Sequence, residues 1–239
     1  MFNSYKFSSC KSSFRLASII AALLVCLPVA IGYARGGAAL QRIGRSGLYV
    51  TNGAVMPRPD GSLAIDTPSS RAVVRAMAGD GANQIAEIRF RYLGATATQK
   101  PLASGELRRQ IGLKLHAADS CNVVYVMWRL EPVSRIVVSV KRNAGLHRHA
   151  QCGAHGYQTI APRRHAAPPP IRVGDVHTLR AGLRGTTLTV RVDGRAAWQG
   201  MLAKEPPAGP PGLRTDNTRV VLEYFAAGFA PSPRHRLRE

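Results

Sequence analysis

The chain is short of acid, short of cysteine and almost without helical periodicity. Only 13 Asp and Glu stand against 33 Lys and Arg, a formal charge of +20 over 239 residues. No two acids lie closer in sequence than Asp60 and Asp66. No strand therefore carries the packed carboxylates that would flank a glycosidic bond as acid and nucleophile. No segment sustains a three-to-four-residue apolar period except Arg71 to Met77, which reads as a strand or a short helix. No internal repeat is present. These absences exclude a helical bundle and a repeat architecture.

What is present begins with the N-terminus. Met1 to Arg15 holds Lys6, Lys11 and Arg15 and no acid, and residues 16–34 are uncharged, with small Gly32 and Ala34 at its end. That pattern predicts an export signal over residues 1–34, cleaved near Ala34, and a periplasmic or secreted protein. Val25 before Cys26 does not suit lipid attachment. The competing reading is an uncleaved anchor, the only route by which a membrane becomes a partner. Pro28 and Gly32 weaken the end of such a span, and Arg35, Arg42 and Arg45 oppose an anchor with its N-terminus inside. Cys10 and Cys26 leave with the signal, so Cys121 and Cys152 remain as the one pair in an oxidising compartment and are expected to form a disulfide. Residues 35–43 read as a flexible linker, 44–229 as the folded domain and 230–239 as a disordered basic tail.

The charge attracts polyanions, and arginine, which far outnumbers lysine, has a planar fork suited to carboxylate, sulfate or phosphate. The expected partner is an acidic polysaccharide or another anionic cell-surface polymer. Nucleic acid fits poorly, because the chain is read as exported and shows no nucleic-acid module. The charge also reads as simple solvation.

Short strands account for most of the rest. Leu48–Val50 and Ser62–Ile65 are candidates, the second entered through Pro59-Asp60-Gly61. Between Ala86 and Tyr92, Ala86, Ile88, Phe90 and Tyr92 alternate with Glu87, Arg89 and Arg91, the mark of a half-buried strand. Glu106 to His116 repeats the pattern, with Ile111, Leu113 and Leu115 inward. Asn122 to Leu130 is apolar on both faces and forms a hairpin with Arg135 to Lys141 across Glu131-Pro132-Val133-Ser134. Thr187 to Asp193 alternates and turns at Asp193-Gly194 into Arg195 to Trp198, and Arg219 to Phe225 closes the series. Ala161 to Arg172 and Pro206 to Pro211 read as irregular loops. Many short strands between Gly/Pro turns predict an all-β fold, a two-sheet antiparallel β-sandwich.

Three runs carry a resemblance: Val173-Gly-Asp-Val-His-Thr-Leu179, Leu188-Thr-Val-Arg-Val-Asp-Gly194, and Gly212-Leu-Arg-Thr-Asp-Asn217 before a closing strand. Together they resemble the concanavalin A-like lectin/glucanase superfamily, laminin-G-like modules included, over residues 85–228, with first strands from about Gly44. The resemblance implies a jelly roll and a function among lectins, glycoside hydrolases and polysaccharide lyases. Gly105-Glu106-Leu107-Arg108, Gln110-Ile111 and Tyr224-Phe225-Ala226-Ala227-Gly228 echo the alginate-lyase-like branch. The departures fall where that branch places its chemistry: Gly112 stands for its histidine, Ala226 for its lysine and Phe229 for its tyrosine. No catalytic residue and no cofactor is assigned.

The candidate site is a sheet face. If Val124, Val126, Trp128 and Leu130 point inward, Tyr125, Met127, Arg129, Ser139 and Lys141 point outward, joined by Arg108, Gln110 and Lys114. The expected ligand-binding set is Arg108, Gln110, Lys114, Tyr125, Arg129 and Lys141, an aromatic platform among cations. His147, His149, Cys152 and His155 have a spacing that zinc could use, but oxidation of Cys152 removes the thiolate. No metal is assigned. Asp216-Asn217 with Asp119 make a thin case for calcium.

Overall fold

The computed structural model describes residues 40–77 and 83–229. The expected signal, residues 35–39 of the expected linker and the basic tail lie outside the described residues. Sixteen strands carry the described fold. The first eight are β1 (Gln41–Arg42), β2 (Leu48–Asn52), β3 (Met56–Pro57), β4 (Leu63–Ile65), β5 (Ser69–Val74), β6 (Asn83–Ala95), β7 (Arg109–Leu115) and β8 (Val123–Glu131). They are followed by β9 (Arg135–Lys141), β10 (Tyr157–Ile160), β11 (Arg164–His165), β12 (Val176–Arg184), β13 (Thr187–Val192), β14 (Arg195–Met201), β15 (Gly212–Asp216) and β16 (Thr218–Phe229).

These strands make two antiparallel sheets. One runs β11-β14-β13-β12-β6-β16-β4-β3, with β1 also on β16; the other runs β10-β9-β8-β7-β15-β5-β2. The fold is the expected β-sandwich. Its core lies where period-two alternation turns apolar residues inward: Ile88, Phe90, Leu179 and Leu222 meet Ile111, Leu113, Val126 and Trp128 in one buried cluster. Phe90 meets Trp128 edge to face, with ring centroids 5.8 Å apart. The run from Arg71 to Met77 is strand as far as Val74, in β5. Within the stretch expected to be wholly irregular after Ala161, Arg164–His165 pairs with β14. Part of the expected linker is also ordered: β1 pairs with β16, and Ile43 is buried and donates its backbone N–H to Phe225 O at 2.8 Å.

Two features position the site. The first is β15, whose five residues are all buried between β7 and β5. The chain then crosses to the other sheet through Asn217, which has φ 51°, a left-handed conformation that asparagine tolerates. The Asn217 side chain accepts from Lys100 N at 2.8 Å and donates to Lys100 O at 2.8 Å and Arg108 O at 3.1 Å. This holds the loop before β7 against the sheet. The second is the disulfide between Cys121 and Cys152, with Cα atoms 6.0 Å apart. It ties the short helix α1 (His149–Cys152) to the start of β8 and stabilises the fold by about 3.5 kcal/mol through chain entropy.

Candidate functional site

The outer face of the seven-stranded sheet is read rung by rung from its register. Across β9, β8 and β7, Ser139 stands opposite Tyr125 and Tyr125 opposite Lys114. The next rung joins Val137, Met127, Gly112, Arg214 and Arg71, and the one after it joins Arg135, Arg129, Gln110, Asp216 and Ser69. Gly112 admits no side chain: a Cβ there would lie 2.2 Å from Val126 O and 2.7 Å from Met127 Sδ. Loops around Lys100–Ser104, Thr67–Pro68 and His149–Ala154 wall this face into a cleft of about 710 Å³, in the size range of ligand sites.

Arg214 is the best-held group in the cleft. It is buried, and its Nε donates to Asp216 Oδ2 at 2.8 Å, an oxygen that also accepts from Gln110 Nε2 at 2.6 Å. Ser69 Oγ donates to the other carboxylate oxygen at 3.1 Å. The Arg214 guanidinium lies 5.0 Å from the Tyr125 ring centre, and Tyr125 stacks on Tyr157 with centroids 5.9 Å apart. Burial lowers the Arg214 pKa, but Asp216 and the two tyrosines outweigh it, so the net shift is upward. Burial, and then Tyr157, push the Tyr125 phenol up to about 12. Tyr125 itself is almost fully covered; Tyr157, 44% exposed, is the ring the cleft presents.

The other cations are held less closely: Arg71 lies 3.9 Å from Asp216 and Arg108 pairs with Glu106, while Arg129 has no carboxylate partner among the described residues. Among the described residues lining the cleft, Asp216 is the only carboxylate, and its oxygens are already engaged. Burial, then Arg108 and Arg135, bring the Arg129 pKa down to about 10. Arg108 is lowered by burial and by Arg214 and Arg135, even though Glu106 pairs with it. His149, on the wall, is lowered by burial and then by Lys141, Arg71 and Arg214. Like charges depressing one another's protonation mark a region of net positive potential.

The structure sorts the expected set in two. Arg108, Gln110, Tyr125 and Arg129 line the cleft. Lys114 and Lys141 share the outer side of the sheet but are buried beneath it. Lys141 Nζ donates to Gly153 O at 2.7 Å and Ser120 O at 3.1 Å, and lies 2.9 Å from Cys152 Sγ. It thus braces the disulfide-bound loop. Lys114 has no carboxylate partner among the described residues, and burial, with Arg71 and Arg214, lowers its pKa to about 8. Arg71, Arg214, Asp216 and Tyr157 were not among the expected residues. The signal for Arg214 and Asp216 lay in the Gly212 to Asn217 run, noted above for its resemblance and, at Asp216-Asn217, for calcium, whereas the Asp216 carboxylate is taken up by Arg214 and Gln110. Cys152 is bridged and His147 Nδ1 lies 2.8 Å from Asp119 Oδ2, so the histidine-rich loop is built as a wall.

No protein-family model and no curated protein matches the sequence. Among solved structures, the fold is similar to the carbohydrate-binding module CBM66 from Bacillus subtilis, with 13% identity and a TM-score of 0.53, over 76% of this chain and 95% of that one. It is also similar to domain 4 of AbnA, a GH43 extracellular arabinanase from Geobacillus stearothermophilus, in complex with arabinotriose, with 7% identity and a TM-score of 0.50, over 81% and 94% of the two chains. What the chain shares with both is the fold, the two-sheet antiparallel sandwich expected from the sequence.

Proposed function

We propose that the chain is an exported, non-catalytic carbohydrate-binding domain whose basic cleft takes an acidic glycan. One observation carries the reading: the cleft is lined by Arg71, Arg108, Arg129 and Arg214, and the single carboxylate among its described lining residues is occupied by Arg214 and Gln110. A sugar ring stacks on Tyr157 while guanidinium forks take its carboxylate or sulfate. The engaged state of Asp216 favours binding over carboxylate-based hydrolysis. The names of the two similar structures support a glycan as partner. The disulfide supports an oxidising compartment, with residues 1–34 removed as the signal and a binding domain that takes in β1 and Ile43 and ends at Phe229.

Calorimetric titration at physiological salt compares oligouronates with uncharged oligosaccharides of equal length. Oligouronates are expected to bind more tightly, with an affinity that falls as salt rises. Tyr157→Ala should weaken them about tenfold, or about 1.4 kcal/mol, without lowering Tm. Equal affinity for neutral chains, or full affinity in Tyr157→Ala, would move the ligand off this face.

A further inference from the structure

Beyond Arg108 and Arg129 the cleft continues into a second groove of about 280 Å³, which shares those two arginines and adds Arg135. The groove also holds two acids, and both are taken. Glu106 pairs with Arg108; Glu131 pairs with Arg109 and accepts from Tyr92 OH at 3.0 Å. Arg129 and Arg135 have no carboxylate partner among the described residues. They stand directly opposite each other across β8 and β9, where like charges oppose pairing. Arg129 Nε is buried and without a hydrogen-bond partner among the described residues, although a buried donor left unmade costs stability. Three guanidiniums crowded at the join of two grooves, one with an idle donor, form an arrangement that an anion would relieve.

Arg129 and Arg135 are set apart from Arg214, with Arg108 between them and near enough to feel both sides. Arg129 and Arg214 are two strands and one rung apart in the register, roughly 12 Å between backbones from ordinary strand spacings. The Arg214 guanidinium lies over Tyr125, in the rung on its far side from Arg129, so the two present their donors at separate places along the cleft. We propose that Arg108, Arg129 and Arg135 form a second anion subsite at the saddle between cleft and groove, so that the ligand is an oligomer with acidic groups on more than one residue. The proposal rests on the acidic-glycan reading above and goes further by assigning length and charge spacing to the ligand.

Two measurements test it on the full chain. In the first, calorimetry compares galacturonate with its trimer and tetramer. The wild type is expected to bind the oligomers at least about tenfold more tightly than the monomer, as linked subsites require. In Arg129→Gln/Arg135→Gln that ratio should collapse to within about twofold. An oligomer advantage that survives the double substitution, or none in the wild type, overturns the proposal. In the second, inorganic sulfate is titrated while the side-chain Nε–H resonance of Arg129 is followed by NMR. A saturating shift supports the subsite, and no shift refutes it. A chain that binds no uronate of any length yet shows the sulfate shift loses the uronate assignment and keeps the anion subsite, which separates the two failures.

Discussion

The two outer faces of the sandwich use arginine in opposite ways. On the nine-stranded sheet, Arg89 and Arg91 reach Glu223 at 2.7 and 3.4 Å, and Arg180 reaches Glu87 at 3.1 Å. Tyr224 OH donates to Glu87 at 2.6 Å, and Arg42 lies 4.8 Å from the Tyr224 ring centre. Each of these cations has an acid or an aromatic ring beside it, as on an ordinary solvated sheet face. On the seven-stranded sheet, Arg71 and Arg214 share one buried acid, Asp216, with Lys114 beside them, while Arg108, Arg129 and Arg135 crowd one another and only Arg108 has an acid of its own, Glu106. Strand alternation delivered positive charge to both faces, but on the first the arginines named above meet an acid or a ring, while on the second Arg129, Arg135 and Lys114 meet no carboxylate among the described residues. The net charge is therefore less informative than its local balance, and the unbalanced face is the one with a cleft.

The sharpest way to break this contrast is Asp216→Asn. It keeps the shape but leaves Arg214 buried and uncompensated among other cations, and should cost about 3–5 kcal/mol in denaturant unfolding. A loss below about 1 kcal/mol would show that Asp216 does not balance the cleft. Lys114→Met acts in the other direction. Burial lowers Lys114 to about 8 from an ordinary 10.5, so folding below pH 8 keeps a charge in a place that disfavours it. Between pH 8 and 10.5 the unfolded chain holds a proton that the folded chain has released, and stability rises with pH across that window. Lys114→Met should remove this rise and add up to about 3 kcal/mol at pH 7. An unchanged pH slope would mean that Lys114 is solvated. The smallest effect belongs to the balanced face: Glu223→Gln, although it strips a partner from two arginines, should cost no more than about 1 kcal/mol. A larger loss would make that face as demanding as the cleft.

Much of the fold was legible because alternation is local. The side chains of β6, β8, β9 and β13 point as period two requires, and Tyr125 and Arg129 fell on the outer side because Val124, Val126 and Trp128 had to be inside. The cysteine pair was legible from compartment and elimination. β15 was not. Arg214, Thr215 and Asp216 look like a polar loop, and they are buried only because β5 and β7, far away in sequence, close on both sides. Tyr157 was equally hidden, since its place on β10 depends on a loop tied down by the disulfide and by Lys141.

The sequence by itself determined the sandwich, which side of each alternating strand faces the core, and the excess of positive charge, because these follow from neighbouring residues and from composition. Tertiary structure alone decided that Arg214 is held by Asp216, itself braced by Gln110, that Lys114 and Lys141 are covered, and that Arg129 and Arg135 lack acids. Burial and charge pairing are set by segments meeting across the fold, and no local pattern encodes which segments those are.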